Sequence, residues 1–411
     1  MEPSPPPEST GRGLLAPGLF VGGAVVAANG LNAVFQIALA RILSPAEYSL
    51  LLALVIVALI AAVPPLAFQA AVAREVAVAI ADGRRSEAGA ALRGTVLGLV
   101  PWALAVLVLG SVATGGLEAA GRGDVGATLA TAATISAALV IPAVWGGLQG
   151  ARLFVLLGLA HLTFAGTRLG AGLGIGLADG GAGAVMGGVA AATVFTLGVT
   201  LLPLRDLWRA AGRSRPRLAT LPNAAAAAGL TLLMSLATVD FLVAKLAFSS
   251  ETAAAYGVAS VGARVLLLLP HGVTTVLFPR VATLRDPVRE RRHLLAGLGV
   301  VALAGAVTTA ALWGFAGPLV RGVFGDKYEA AIPWLGPLSL AMALYALATV
   351  YVYHFLSLAR TRFALVLVVV QAAQLVAFAA LHGRPAELVG VQIAAAAVTL
   401  AAAELWYLVR R

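Results

Sequence analysis

Three ionisable residues, Arg168, Asp240 and Arg264, lie inside long apolar runs of the sequence. Charges in the hydrocarbon region of a membrane are costly, so such residues are candidates for a functional site. Counted from the ends of the predicted helices, all three lie about 12–14 Å below the same membrane surface, at 1.5 Å per residue. Two guanidinium groups at one depth are suited to binding a phosphate anion. A structural alternative is that Asp240 pairs with Arg264 while Arg168 bonds to backbone carbonyls, and both interpretations can hold together.

Amide side chains form a polar stripe on the first apolar run, because Asn29, Asn32 and Gln36 share one face of a helix. An amide that faces lipid without a partner costs several kcal/mol. The stripe is therefore expected to face a wet cavity or a partner helix, and we favour the cavity.

Four further residues complete the predicted substrate-binding set. His161 shares a helix face with the deep arginine of its run, although a lone histidine in a span is more typical of a satisfied polar group than of a proton carrier. His271 follows a proline, where the missing backbone donor favours a distorted, hydrated helix. Lys245 and Arg41 lie towards the outer ends of their runs. On the opposite side of the His161 helix, small residues predict a face for close packing: Gly166, Gly170 and Gly174.

The composition indicates that these residues belong to a membrane protein. The chain has 411 residues, of which 60% are hydrophobic and 11% are charged, whereas an ordinary soluble domain is about 25% charged. Soluble enzymes, nucleic-acid-binding proteins and disordered chains are therefore disfavoured. The continuous apolar runs predict an all-α polytopic membrane protein. The chain has no cysteine and no motif for a metal ion or other cofactor, and we expect no enzymatic activity.

About twelve transmembrane helices are predicted, in two lobes of six. They cover residues 15–40, 47–70, 94–114, 125–148, 152–177, 182–204, 223–248, 255–279, 294–317, 330–356, 363–382 and 386–409. The predicted organisation is a disordered cytoplasmic tail, a first lobe, a basic cytoplasmic linker and a second lobe, at residues 1–14, 15–204, 205–222 and 223–411.

Basic residues predict the orientation. With the N-terminus in the cytoplasm, 20 of the 28 Lys and Arg residues fall in the tails and inner loops and 5 in the outer loops, as the positive-inside rule requires. We therefore predict a multi-pass protein of the bacterial cytoplasmic membrane with both termini cytoplasmic. The linker carries five arginines and Trp208, and it is expected to rest on anionic membrane lipids.

The two halves resemble each other weakly. The segment Gln36–Arg41 corresponds to Asp240–Lys245, and each half continues with a tyrosine, a proline and an arginine at similar spacings. A parallel pseudo-two-fold repeat about the membrane normal is expected. Hinges are predicted at breaks in the second helix of each lobe, at Pro64, Pro65 and Pro270.

Several segments resemble the polysaccharide and oligosaccharide flippases of the multidrug/oligosaccharidyl-lipid/polysaccharide (MOP) exporter superfamily. They are Ala40–Tyr48, the stretch from Asp240 to Arg280, and Phe324–Tyr328. The resemblance implies two six-helix lobes in a V, alternating access, and flipping of a polyprenyl-diphosphate-linked glycan, with Arg264 facing the cavity. The partners expected are this glycan lipid, anionic lipids and polysaccharide-assembly enzymes, but no nucleic acid.

Alternatives remain open at this point. The chain is also similar to lipid II flippases, but it lacks two further spans and the additional first-lobe arginines of that group, so we prefer a general oligosaccharide or polysaccharide-precursor flippase. A cation-coupled multidrug exporter of the same superfamily would need more buried carboxylates than Asp240 alone. A membrane polysaccharide polymerase or ligase would need an outer loop that gathers catalytic residues. A scaffold without transport would not need deep charges.

Overall fold

The first lobe consists of seven long helices and a short eighth one. The computed structural model describes residues 12–119, 124–211, 221–270, 287–358 and 360–409. The first-lobe helices are α1 (Arg12–Ile42), α2 (Pro45–Ala62), α3 (Leu66–Ala81), α4 (Arg85–Ala119), α5 (Val125–Gly150), α6 (Phe154–Leu177), α7 (Ala182–Leu201) and α8 (Arg205–Ala210).

The second lobe begins with two short helices that break one span. Its helices are α9 (Leu221–Leu236), α10 (Val239–Ala247), α11 (Ser250–Ala263), α12 (Pro287–Gly314), α13 (Ala316–Leu319), α14 (Ile332–Ser357), α15 (Phe363–Ala380) and α16 (Pro385–Val409). A π-helical turn at Val320–Phe324 and a 3₁₀ helix at Asp326–Ala331 connect α13 to α14.

The described helices confirm the all-α polytopic architecture. Ten helical stretches are long and apolar enough to span a membrane, with α2 and α3 counted as one, and the bent pair of α9 and α10 makes eleven. The remaining predicted span, 255–279, coincides with α11 as far as Ala263 and continues as a 3₁₀ helix at Arg264–Leu268, whereas residues 271–279 lie outside the described part of the chain. We refer to the side on which α1 begins and α16 ends as the terminal side.

Two helices begin earlier than predicted. The helix predicted at 94–114 already begins at Arg85, and the one predicted from 255 begins at Ser250. Each helix starts with polar residues, which a prediction from apolar runs leaves outside the span. The predicted tail, 1–14, overlaps α1 from Arg12 onward, and its first eleven residues are outside the described part of the chain. The predicted linker, 205–222, starts as α8, which buries Leu207 against the first lobe.

Breaks in the helices lie in both lobes. In the first, Val63, Pro64 and Pro65 separate α2 from α3, where the prolines predict a break. In the second, α9 and α10 meet at 42° across two residues without a proline. The predicted hinge at Pro270 is the last described residue before a gap in the description.

Glycines set the packing of α6 against α1, on a face that differs from the predicted one. A Cβ atom at Gly166, Gly170 or Gly174 would meet no atom within 4 Å. A Cβ at Gly172 would lie 2.5 Å from the Phe35 ring. The small-residue face that packs is instead on the side of α6 that also carries Arg168, and it comprises Gly158, Gly172 and Gly176.

Candidate functional site

The first-lobe arginine lies beside the amide stripe, because α6 packs against α1. Arg168 Nη1 donates a hydrogen bond to Asn32 Oδ1 at 3.4 Å, and its guanidinium lies 4.3 Å from the centroid of the Phe35 ring. Arg168 Nε is buried and has no hydrogen-bond partner among the described residues. The guanidinium is thus positioned by one amide and one ring, with donor capacity left over.

The stripe itself is partly exposed. Asn29 is exposed, while Asn32 and Gln36 are half-buried. The buried Oε1 atom of Gln36 also lacks a hydrogen-bond partner within the ranges described. The packing of α6 on α1 brings Asn32 and Arg168 together, and whether the stripe faces a cavity stays a prediction.

His161 lies two helical turns nearer the terminal side than Arg168. Its ring centroid lies 4.2 Å from that of Trp145 on α5, with the two rings tilted by 56°, and Trp145 also contacts Phe164 edge-on at 6.2 Å. This aromatic packing agrees with a structural histidine, while its predicted role in substrate binding stays a prediction. His271 lies outside the described residues.

The second-lobe charges form an ion pair. Asp240 is completely buried, and its Oδ1 lies 3.6 Å from Nη2 of Arg264, whose side chain is 14% exposed. The Tyr256 hydroxyl donates to Asp240 Oδ2 at 2.9 Å, and Arg264 Nη2 also lies 3.4 Å from the Thr238 carbonyl. The predicted pair of Asp240 and Arg264 is therefore confirmed. Asp240 is held between a hydroxyl and a guanidinium.

A glutamine network occupies the break between α9 and α10. The break leaves the Leu236 carbonyl without its helical partner, and Nε2 atoms of Gln374 and Gln392 donate to it at 3.0 and 2.9 Å. Gln374 Nε2 also lies 2.7 Å from Gln392 Oε1 and 3.3 Å from the Tyr345 hydroxyl. The sequence shows these amides, but nothing in it indicates that they meet at one carbonyl.

Arg41 and Lys327 connect the lobes at the side opposite the termini. Arg41 Nε, at the end of α1, donates to the Val323 carbonyl at 2.7 Å, and its Nη2 contacts the Gly322 carbonyl of the π-helical turn. In return, Lys327 Nζ donates to the carbonyls of Arg41 and Leu43 at 3.0 and 2.7 Å. Each cation thus donates hydrogen bonds to carbonyls at the end of a helical segment in the other lobe, a favourable position for positive charge. We call Arg41, Lys245 and Lys327, with their partners, the inter-lobe latch.

Lys245 makes the corresponding contact from the second lobe. Its Nζ lies 2.8 Å from the Ser49 hydroxyl of α2. Because the weak sequence repeat aligns Lys245 with Arg41, two repeat-related cations each reach the opposite lobe. In this conformation both side chains, predicted to bind substrate, hold the lobes together.

One half-buried charge escaped the sequence reasoning. Glu404 lies five residues from the end of α16, where it accepts a hydrogen bond from the Tyr351 hydroxyl. Its position inside the last apolar run could have identified it as a candidate functional residue.

Among the described residues, no group of three or more His, Cys, Asp or Glu side chains could hold a metal ion.

Comparison with known proteins identifies the fold. No protein-family model matches the sequence, and no curated protein sequence matches it. Among solved structures, the chain is similar to an inward-facing multidrug resistance MATE family transporter of the MOP superfamily, with a TM-score of 0.71, 13% identity and 92% of each chain covered. An outward-facing structure of a transporter of the same description gives a TM-score of 0.66, with 13% identity and coverage of 95% of this chain and 94% of that one.

A flippase shares the same fold. The lipid II flippase MurJ in an inward closed conformation gives a TM-score of 0.67 at 11% identity, covering 95% of this chain and 87% of that chain. At such identities the similarity concerns the fold. The protein is a multi-pass membrane protein with the two-lobed fold of about twelve helices that the MOP superfamily shares.

Proposed function

We propose that this protein is a MOP-type transporter that flips a polyprenyl-diphosphate-linked oligosaccharide or polysaccharide precursor across the bacterial cytoplasmic membrane. One observation carries the proposal. Each lobe contains one deep arginine, Arg168 or Arg264, whose buried Nε atom has no hydrogen-bond partner among the described residues. Two incompletely bonded guanidinium groups are suited to the oxygens of a diphosphate.

The surroundings of the two arginines suggest different roles. Among the described residues, no carboxylate forms a salt bridge with Arg168. Its side-chain hydrogen bond to Asn32 orients the guanidinium without neutralising its charge. Arg264 already shares Asp240, so it would bind phosphate less strongly and would act mainly when the lobes move. Asn29 and Gln36 would offer hydrogen bonds to phosphate or sugar, while the prenyl tail stays in lipid.

Alternating access would require the inter-lobe latch to open. The latch closes the side opposite the termini, which is the outer side if both termini are cytoplasmic. The higher TM-score with the inward-facing structure supports the same conformational assignment. Breaks between α2 and α3 and between α9 and α10 supply points about which each lobe could bend.

The test is a flipping assay in proteoliposomes with a fluorescent polyprenyl-diphosphate oligosaccharide. We expect Arg168→Ala and Arg264→Ala each to lower the flipping rate by at least about tenfold, equivalent to one lost charge-assisted bond. The matched control is Arg205→Ala, which removes an exposed arginine of α8. Wild-type flipping by both deep variants, at normal expression, would refute the anion-cavity mechanism.

A cation-coupled multidrug exporter is the second candidate, since MATE transporters share the fold. Its weakness is that Asp240 is engaged by Arg264 and Tyr256 and offers little to a cationic drug. Extrusion of a cationic dye by the reconstituted protein, with no flipping of the glycan lipid, would favour this candidate.

A further inference from the structure

An apolar groove runs along the outside of the second lobe, between α12, α14 and α16. Its volume is about 570 Å³, and aliphatic or small residues such as Leu295, Gly299, Leu344 and Leu400 line it. On α12 the lining extends from Leu295 to Ala302, which corresponds to about 10 Å along the helix axis. Half of the hydrocarbon core is about 15 Å thick. Since Leu295 lies in the first part of α12, the groove occupies the leaflet on the terminal side.

A single carboxylate, Glu404, lies at the end of the groove nearest the terminal side. The Tyr351 hydroxyl occupies one of its oxygens, and a tyrosine supplies only one donor, whereas a carboxylate accepts several hydrogen bonds. No salt bridge of the described ranges includes Glu404, whereas Glu290 Oε1 lies 3.1 Å from Nε2 of His354. A half-buried carboxylate at membrane depth is costly unless a positive group meets it.

Aromatic rings lie next to one another near this end of the groove. The Tyr351 ring, which lines the groove, lies 6.2 Å from that of Tyr407, and the His354 ring lies 5.7 Å from Tyr407 on its other side. A carboxylate next to aromatic rings is the environment that binds an ammonium group. Farther along the same face of α12, Arg291 lies four residues before Leu295, one turn closer to the membrane surface.

We propose that this groove binds a phospholipid whose headgroup carries a primary ammonium, drawn from the leaflet on the terminal side. One acyl chain fills the apolar groove, the ammonium pairs with Glu404, and the phosphate lies within reach of Arg291. The carboxylate selects against an anionic lipid such as phosphatidylglycerol, because that headgroup brings no positive charge to Glu404. Neither deep arginine lines the groove, and the proposal does not depend on the proposed flipping activity.

Lipid binding to the purified full chain tests the proposal. Native mass spectrometry during titration with dioleoyl phosphatidylethanolamine or dioleoyl phosphatidylglycerol measures each affinity. We expect the wild type to bind phosphatidylethanolamine more tightly than phosphatidylglycerol. Glu404→Gln should lower the affinity for phosphatidylethanolamine by about tenfold and leave the affinity for phosphatidylglycerol unchanged. Glu387→Gln, which removes another carboxylate from α16 at the opposite end of the helix, is the matched control and should bind like the wild type.

A second variant tests the groove itself. A Cβ atom at Gly299 would meet no atom within 4 Å, so Gly299→Leu fills the groove without disturbing the fold and should weaken phosphatidylethanolamine binding. Gly390→Leu is its control, because Gly390 is equally open and lies outside the groove. Equal affinity for both lipids, or phosphatidylethanolamine binding unaffected by Glu404→Gln or by Gly299→Leu, would overturn the proposal.

Discussion

The Asp240 carboxylate and the Arg264 guanidinium lie 3.6 Å apart and connect the start of α10 to the end of α11 in the second lobe. Asp240 lies in the first turn of α10, just after the break, and Arg264 directly follows α11. The pair therefore fixes the position of one helix end relative to the other. It also neutralises a carboxylate that is completely buried, which would otherwise be costly.

Asp240→Asn should destabilise the protein by about 3 kcal/mol, because it leaves the mostly buried Arg264 without a counter-ion. The double variant Asp240→Asn/Arg264→Gln should recover most of the loss, since it removes both charges. Thermal unfolding of the purified protein in detergent measures both changes. Asp206→Asn is the matched control, because Asp206 and its partner Arg205 are mostly exposed and such pairs contribute about 1 kcal/mol or less. Equal stability of all these variants would contradict a structural role for the pair.

The glutamine network predicts a second effect on stability. Gln374→Leu should cost about 2 kcal/mol, because it leaves polar groups of Gln371, Gln392 and Tyr345 buried without a partner. Thermal unfolding again provides the measurement. Gln69→Leu serves for comparison, because Gln69 makes one long, exposed hydrogen bond of 3.5 Å and its loss should be nearly neutral. A network without structural importance would give the two variants the same unfolding temperature.

Much of the fold follows from hydropathy, because a span needs about 20 apolar residues whatever it packs against. The pairing of Asp240 with Arg264 could also be proposed from their depths. Hydropathy does not report which helix face packs. The packing face of α6 was therefore predicted from the spacing of its glycines, which selected the wrong side, at Gly166 instead of Gly172.

The break between α9 and α10 was equally hidden from the sequence. No proline interrupts it, and Ala237 and Thr238 are ordinary helix residues. The break is stabilised by amides from α15 and α16, more than 130 positions away in the chain. Likewise, the roles of Arg41 and Lys245 depend on carbonyl and hydroxyl partners that only the assembly of both lobes supplies.

Weakening the inter-lobe latch should shift the conformational equilibrium. Arg41→Ala/Lys327→Ala removes bonds to four carbonyls across the lobes, and we expect the latch-open state to gain at least about tenfold in population. The chain has no native cysteine, so Asn29→Cys introduces a unique reporter on the amide stripe. A membrane-impermeant thiol reagent is then added from one side at a time.

In the latched protein we expect labelling of this cysteine from the cytoplasmic side, and in the double variant increased labelling from the outer side. Arg321→Ala, which removes a bond to Glu329 within the second lobe, should label like the parent. A cysteine that reacts from neither side in any background would contradict a stripe that faces a cavity. Unchanged labelling in the double variant would contradict the role assigned to the latch.

Gly172 and Gly166 provide a matched pair on one helix. A Cβ at Gly172 would lie 2.5 Å from the Phe35 ring, the ring over which the Arg168 guanidinium lies. Gly172→Leu should therefore displace Phe35, cost about 1–3 kcal/mol through overpacking, and reduce flipping by moving Arg168. Gly166→Leu meets open space and should stay within about 0.5 kcal/mol of the parent.

Thermal unfolding separates the packing effect from the functional one, and the flipping assay is read at a temperature where both variants stay folded. If Gly172→Leu loses stability but flips normally, then α6 packs as described while the position of Arg168 against Phe35 is unimportant for transport. If Gly166→Leu is the variant that unfolds, the assignment of the α1–α6 contact to the Gly172 face is wrong, because only a side chain forced into a packed interface produces that loss.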